Sequence, residues 1–346
     1  MYRKTVSFII LMLTLIITQT ACNSEIEPVS KENYFMDTTC NISVYGTGDG
    51  LDEDIANQAI DAAYSLCSEL DNTLSKTYEK SDTSRINNAG GEWVSVSDYT
   101  VDLLKTALEY CELSDGVFDV TIGGVTSMWD FHQTDAISMP DEELLAEAAS
   151  HVDYKCVQID GNRVRLTDPE SQLDLGGIAK GYIGDRMTEC LMENGVTSAI
   201  INLGGNIICV GAKPISSKNQ ETEPFTIGIE TPYSDRTEIS GCLELADETT
   251  VTSGVYERYF ECNDKKYHHI LSTENGYPVD SDVIAVTLTA EIGHSVDIDA
   301  LSTICLIKGS EEGSKLIESL DGIEATFTLA DGSRVSTSGM NVLDPQ

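Results

Sequence analysis

Asp299-Ala300-Leu301-Ser302-Thr303 sets a carboxylate and a hydroxyl four residues apart, which on a helix is one face. Such hard oxygen donors suit magnesium, which takes one or two protein carboxylates and completes its octahedron with carbonyls, water and phosphate oxygens. The same spacing describes a capping Asp with a Thr bonded back into its helix, and the residues alone leave both open. Tyr267-His268-His269 offers a proton carrier suited to neutral pH. Neighbours on a strand point to opposite faces, so at most one of the two His serves a given cleft. The chain contains no G-x-S-x-G, no H-E-x-x-H and no compact Cys/His set, which leaves nucleophile-elbow and zinc chemistry without support.

A third group lies in Asp174-Leu-Gly-Gly-Ile-Ala-Lys-Gly-Tyr182. An apolar strand is expected to end at Leu175, a glycine pair to turn the chain, and Ala179, Ile183, Met187 and Leu191 to form one helix face that stops at Asn194-Gly195. Strand, glycine turn and helix N-terminus together offer unpaired amides and a positive dipole end to a phosphate, and Lys180 adds a cation. An ordinary turn before a packed helix would read the same way. Gly176 to Gly181 fits neither the P-loop nor the dinucleotide-binding glycine pattern.

The elements that must carry these groups can be followed along the chain. Cys40 to Tyr45 alternates as a strand, and Leu51 to Leu74 is an amphipathic helix with acidic residues in its first turn. Thr77 to Asn87 reads as a loop, in which Tyr78 is able to stack on a ligand ring. Tyr99 to Leu113 and Asp141 to Ala149 are expected helices, and Val157 to Ile159 and Arg163 to Thr167 a hairpin. Ala199 to Leu203 enters the turn Gly204-Gly205-Asn206, and Ile207 to Val210 leaves it. Pro214 to Pro224 reads as a polar loop. Strand signals recur at Phe225 to Glu230, Gly241 to Leu245, Tyr256 to Cys262, Lys266 to Leu271 and Val283 to Leu288. A helix starting near Asp297 or Asp299 and another over Glu311 to Leu320 complete the reading. Irregular alternation with frequent hairpins indicates a mixed α+β fold with largely antiparallel sheets and packed helices.

Composition narrows the function classes. The chain has 346 residues with 21 Lys and Arg against 58 Asp and Glu, a net charge of −37, which excludes charge-driven binding to nucleic acid. Arg3 and Lys4, the apolar run Val6 to Ile17 and Thr-Gln-Thr-Ala-Cys22 read as a signal peptide over residues 1–21, with Cys22 as the lipidated first residue of a lipoprotein. Gln19 stands where such signals usually carry Leu. Residues 22–32 are then a polar tether, and 33–346 one large domain or two lobes. That places the protein outside the cytoplasm, anchored to the membrane. Nine cysteines remain, an odd number without C-x-x-C, and several sit in apolar runs as small buried hydrophobes.

Taken in order, these segments resemble the ApbE family, the FAD:protein FMN transferases of bacterial envelopes. The resemblance runs through Met36-Asp-Thr38, Tyr78 with Ser81 to Asn87, Gly116 to Gly123, Asp174 to Asp185, Asn202 to Asn206, Thr252 to Arg258, His269-Ile-Leu271 with Asn275-Gly276, and Asp299 to Thr303. It implies a flavin transferase architecture of the T-fold-like kind. The implied reaction splits FAD at its pyrophosphate, passes FMN to a Thr or Ser hydroxyl of an acceptor protein, and releases AMP. By the same resemblance, Mg2+ is held by Asp299, Thr303 and the Ala179 carbonyl, and FAD is lined by Met36, Tyr78, Val117, Phe118, Asp119, Gly176, Tyr182 and Ile270. His269 is the expected base for the incoming hydroxyl, Asp174 the next candidate, and Lys180 the cation at the phosphates. Asp37, Gly124, Ser272-Thr273 and Ser302 depart from the usual pattern, where Gly, Pro, Asp-Pro and, in some relatives, Asp stand. An FAD pyrophosphatase that uses water as acceptor and a non-catalytic flavin-binding lipoprotein are the competing functions.

Overall fold

The computed structural model describes residues 26–131, 139–215, 221–234 and 238–345. The expected signal peptide and Cys22 therefore lie outside the described residues. An eight-stranded sheet is the centre of the fold, and every neighbouring pair in it is antiparallel. Its order runs Val29–Phe35, Thr38–Thr47, Val196–Leu203, Asn206–Val210, Glu248–Gly254, Val283–Glu291, Ile323–Leu329, Arg334–Ser336. The helices Glu53–Leu74, Ala179–Glu193 and Ser295–Glu318 pack on one face, with Ile42, Val44, Ile201, Leu203 and Val286 fully buried beneath them. On the opposite face Tyr45, Ile200, Ile207 and Cys209 meet the hairpin Phe225–Glu230/Ile239–Leu245. Alternation along each strand supplies both faces, which is why single strands carry two apolar sets.

Several boundaries follow from caps. Asp52 accepts from Asp54 N and Ile55 N, Ser97 from Thr100 N, and Asp141 from Glu143 N and Leu144 N, each closing the start of an expected helix. Ser81 does the same for Asp82–Asn87, so the run read as a loop contains a short helix, its hydroxyls serving as cap and core bonds rather than as turn formers. Two further corrections concern the sheet. The first strand begins at Val29, inside the segment read as tether, because Val29 to Phe35 pairs residue by residue with Thr38 to Val44. Leu173 to Leu175 joins no sheet; Asp174 N donates to the Val120 carbonyl at 2.7 Å and Gly123 N to that of Gln172 at 2.7 Å. The stretch Ser295–Glu318 is two helical segments joined at Gly309, whose backbone is not helical (φ 78°, ψ 177°), in line with the two helices expected from near Asp297 or Asp299 and over Glu311 to Leu320. The nine described cysteines are free thiols, and most are buried. No described helix is long and apolar enough to cross a membrane.

Two hairpin turns bring the sheet end to the site. Met36 and Asp37 both have positive φ (50° and 57°), as do Gly204 and Gly205 (62° and 104°). Two-residue turns of this form match the twist of the strands. A left-handed position favours Gly, and Asp is among the few other residues that tolerate the conformation.

Candidate active site

A cavity of about 650 Å3 opens between the sheet end, the glycine turn and the last helix. Met36 and Asp37 line one side, Val117, Phe118 and Asp119 another, and Asp174, Gly176, Ala179, Lys180, His269, Ile270, Asp299 and Thr303 all reach its wall. The helix Ala179–Glu193 points its N-terminus here, with Ile183, Met187 and Leu191 buried as expected. Gly177 is needed for packing: a Cβ there would stand 3.1 Å from the Phe118 ring and 3.5 Å from Thr303 Oγ1. The turn thus lies against the helix that carries Thr303.

Lys180 Nζ donates to Asn206 Oδ1 at 2.9 Å and stands 3.7 Å from Asp299 Oδ1. Asp299, 3% exposed, uses its other oxygen to accept from Gly181 N at 2.9 Å. One carboxylate oxygen therefore remains on the cavity side of a charged pair. Thr303 and Ala179 line the same cavity, and carboxylate, hydroxyl and carbonyl oxygens are the donor chemistry that fits a hard cation such as Mg2+. Among the described residues no group of three or more His, Cys, Asp or Glu is arranged to hold a metal. Ser302, at a departing position, is fully buried; its hydroxyl bonds to the Asp299 carbonyl at 2.7 Å and pairs with Ser253 at 2.8 Å.

His269 sits on the wall just past the strand Lys265–His268. Its Nδ1 lies 3.3 Å from the Arg258 carbonyl, which can only accept, so Nδ1 carries the hydrogen and Nε2 the lone pair. Burial, followed by the Arg258 guanidinium, pushes its pKa down to about 3, so the ring is neutral throughout the physiological range. His268 is also pushed down by burial, and its Nδ1 is buried without a hydrogen-bond partner among the described residues.

Asp174 is differently placed from a general base. Its Oδ2 accepts from Lys76 Nζ and Thr126 Oγ1, both at 2.7 Å, and its Oδ1 from Gly176 N at 2.9 Å. Burial raises its pKa, but Lys76 and the hydrogen bonds outweigh this and hold the carboxyl below its ordinary value. The group is a clamp on the turn. Asp119 is similarly engaged, accepting from Thr121 N, Thr121 Oγ1 and Tyr154 N at 2.6 to 2.8 Å.

Two expected pocket residues lie elsewhere. Tyr182, 4% exposed, turns away from the cavity and bonds Asp102 Oδ2 through its hydroxyl at 3.1 Å, because the position three beyond Ala179 falls on the helix side facing Asp98–Leu113. Tyr78 is 45% exposed and stands outside a wall formed by its neighbours Ser75, Lys76 and Thr77. Reading the sequence also passed over Lys76, Arg258 and Glu257, which line the cavity, and Asn206, which orients Lys180. Asn206 and Arg258 stand in segments that carried the resemblance; Lys76, in a run of hydroxyl residues, gave no local signal.

The same fold occurs in known proteins. The solved ApbE protein of Thermotoga maritima superposes with a TM-score of 0.79 at 28% identity, covering 90% of this chain and 97% of that one. The apo flavinyl transferase ApbE of Pseudomonas stutzeri gives 0.76 at 27% identity, covering 91% and 96%. In sequence, the FAD:protein FMN transferase of Treponema pallidum is 29% identical over 92% of this chain and 89% of its own length. A Klebsiella pneumoniae protein of the same name is 31% identical over 76% and 80%. The sequence model of the ApbE family matches residues 36–327, and the chain belongs to that family.

Proposed function

We propose that this protein transfers FMN from FAD to a Thr or Ser hydroxyl of an acceptor protein and releases AMP. The observation that carries the reading is one cavity whose wall holds Asp299, Thr303 and Ala179, a lysine at a helix N-terminus and a neutral histidine. Phosphoryl transfer requires mainly positioning and charge neutralisation, and these groups provide both in an acidic chain. Asp299, Thr303 and the Ala179 carbonyl would hold Mg2+, which supplies charge neutralisation at the pyrophosphate when bound.

His269 Nε2 accepts the proton of the acceptor hydroxyl as its oxygen attacks the FMN phosphorus. The new P–O bond forms while the bond to the bridging oxygen breaks, and AMP departs with the electron pair. Lys180 and Arg258 face the anionic groups, and the amides after Gly176 offer the positive end of the helix dipole. Met36, Val117, Phe118 and Ile270 supply apolar contact for the flavin portion. Lipidation at Cys22 would tie this chemistry to the membrane surface outside the cytoplasm, where the acceptor must also be.

Incubating the protein with FAD, Mg2+ and an established acceptor domain, followed by intact-mass measurement, tests the reading. The expected result is one FMN added to the acceptor and AMP released, with neither product from Asp299→Ala. FMN and AMP without acceptor labelling would instead indicate the pyrophosphatase, and unchanged FAD a binding protein.

A further inference from the structure

Each of the two helices at the site lacks a cap of its own. Ile178 and His294, which precede Ala179–Glu193 and Ser295–Glu318, make no side-chain capping bond, whereas Asp52, Ser81, Ser97 and Asp141 cap their own helices. The missing caps are exchanged. Asp185, on the first helix, accepts from Ser295 N through Oδ1 at 3.1 Å and from Val296 N through Oδ2 at 2.9 Å. Asp299, on the second, accepts from Gly181 N. Both carboxylates are 3% exposed, and the helices touch so closely at Gly181 that a Cβ there would collide with the Ser295 carbonyl.

A local Ser or Asp cap would satisfy the same amides at the surface without burying a charge, which is costly. What the exchanged arrangement adds is a fixed relation between two helices. Asp299 lies one turn beyond Ser295 and Thr303 a further turn, while Ala179 opens the other helix, so these three residues span the crossing. A further tie anchors the same first turn from outside: Tyr110 Oη donates to Asp297 Oδ1 at 2.7 Å, and His294 Nδ1 lies 2.7 Å from Asp297 Oδ2.

We propose that Asp185 is a positioning residue of the cation site, holding Asp299 and Thr303 in register with the Ala179 carbonyl by capping the helix that carries them. This rests on the reading of Asp299 and Thr303 as cation ligands. Outer partners that orient metal ligands typically change affinity by about 10- to 100-fold when removed.

Mn2+ serves as the probe, with free ion counted by electron paramagnetic resonance at a temperature where every variant is folded. Asp185→Asn is expected to bind Mn2+ about tenfold more weakly than the unmutated chain. A merely structural role would lower the unfolding temperature and leave this affinity unchanged, and that result overturns the proposal. Should Asp185→Asn not fold, Tyr110→Phe decides, since it loosens the same turn by losing one hydroxyl: weaker Mn2+ binding supports the proposal and equal binding overturns it. Absence of Mn2+ binding by the unmutated chain, or equal binding by Asp299→Ala, would instead remove the cation reading and this inference with it.

Discussion

Lys76 and Asp174 form an ion pair of 2.7 Å between groups 98 residues apart in sequence. The lysine also donates to Thr126 at 2.6 Å, so one side chain ties the end of the first long helix to the glycine turn. A carboxylate held low in the folded protein contributes stability that is present above its unfolded pKa, near 3.8, and is lost as pH falls through the folded value. Lys76→Met removes the partner. The expected outcome is a loss of about 1–3 kcal/mol at pH 7, measured by urea unfolding. Acid unfolding should also begin at a higher pH than in the unmutated protein. An unchanged urea midpoint would show that the pair contributes nothing net.

The state of His269 gives a kinetic prediction. Because burial favours the neutral ring, no rising limb from this group should appear in kcat between pH 5 and 8. Its effect on stability has the opposite sense to that of an ion-paired histidine. The unfolded chain takes up the proton first, so stability falls as pH drops from about 6.5 toward 3. His269→Ala should slow FMN transfer by about 10²–10⁴-fold. FAD affinity, measured by quenching of flavin fluorescence, should change little. A fully active variant would exclude His269 as the base.

Gly181→Ala tests the helix crossing. The added Cβ meets backbone at Ser295 and Asp299 Cβ at 2.8 Å, and neither is a flexible chain end. Overpacking of this kind costs about 1–3 kcal/mol. The unfolding temperature should fall by several degrees, read by circular dichroism, and transfer activity should fall with it. Normal values in both would show that the helices separate without penalty.

Tyr182→Phe separates the observed position from the expected one. The variant loses the hydroxyl bond to Asp102 but no cavity contact, so KM for FAD should stay within about twofold, with at most about 1 kcal/mol lost in stability. A large rise in KM would place Tyr182 at the ligand after all.

Local patterns made most of the fold legible, and the reasons are specific. The helices that Asp52, Ser97 and Asp141 cap are legible because apolar spacing and first-turn residues are matters of near neighbours, and the Gly204-Gly205 turn follows from backbone conformation alone. Non-local pairing is harder to read. Val29–Phe35 is polar and its strand character comes from pairing with Thr38–Thr47, while Glu248–Gly254 is rich in Thr and Ser and is a strand because it lies between two others. At the site, Asp299 and Thr303 share a face by simple periodicity, and both line the cavity. Tyr182 failed for the complementary reason: adjacency to Gly181 placed it in the right segment, but helix rotation carries it to the far side. Lys76 has no sequence signature, since its role is defined by a partner on another element.

The break at Gly309 divides the last helix into two units with different exposure to solvent opening. Asp282 receives Ser310 N at 3.0 Å and Ser310 Oγ at 2.5 Å, so the second segment starts from its own cap rather than continuing the first. Ile298, Asp299, Leu301, Ser302, Ile304 and Cys305 are buried ahead of the break, whereas Glu311, Glu312 and Lys315 are exposed beyond it. In hydrogen-exchange terms, amides past Gly309 should open by local fraying, while those around Asp299 exchange only with the unfolding of the central sheet. The turns that carry Asp299 and Thr303 are thereby insulated from motion at the helix's outer end.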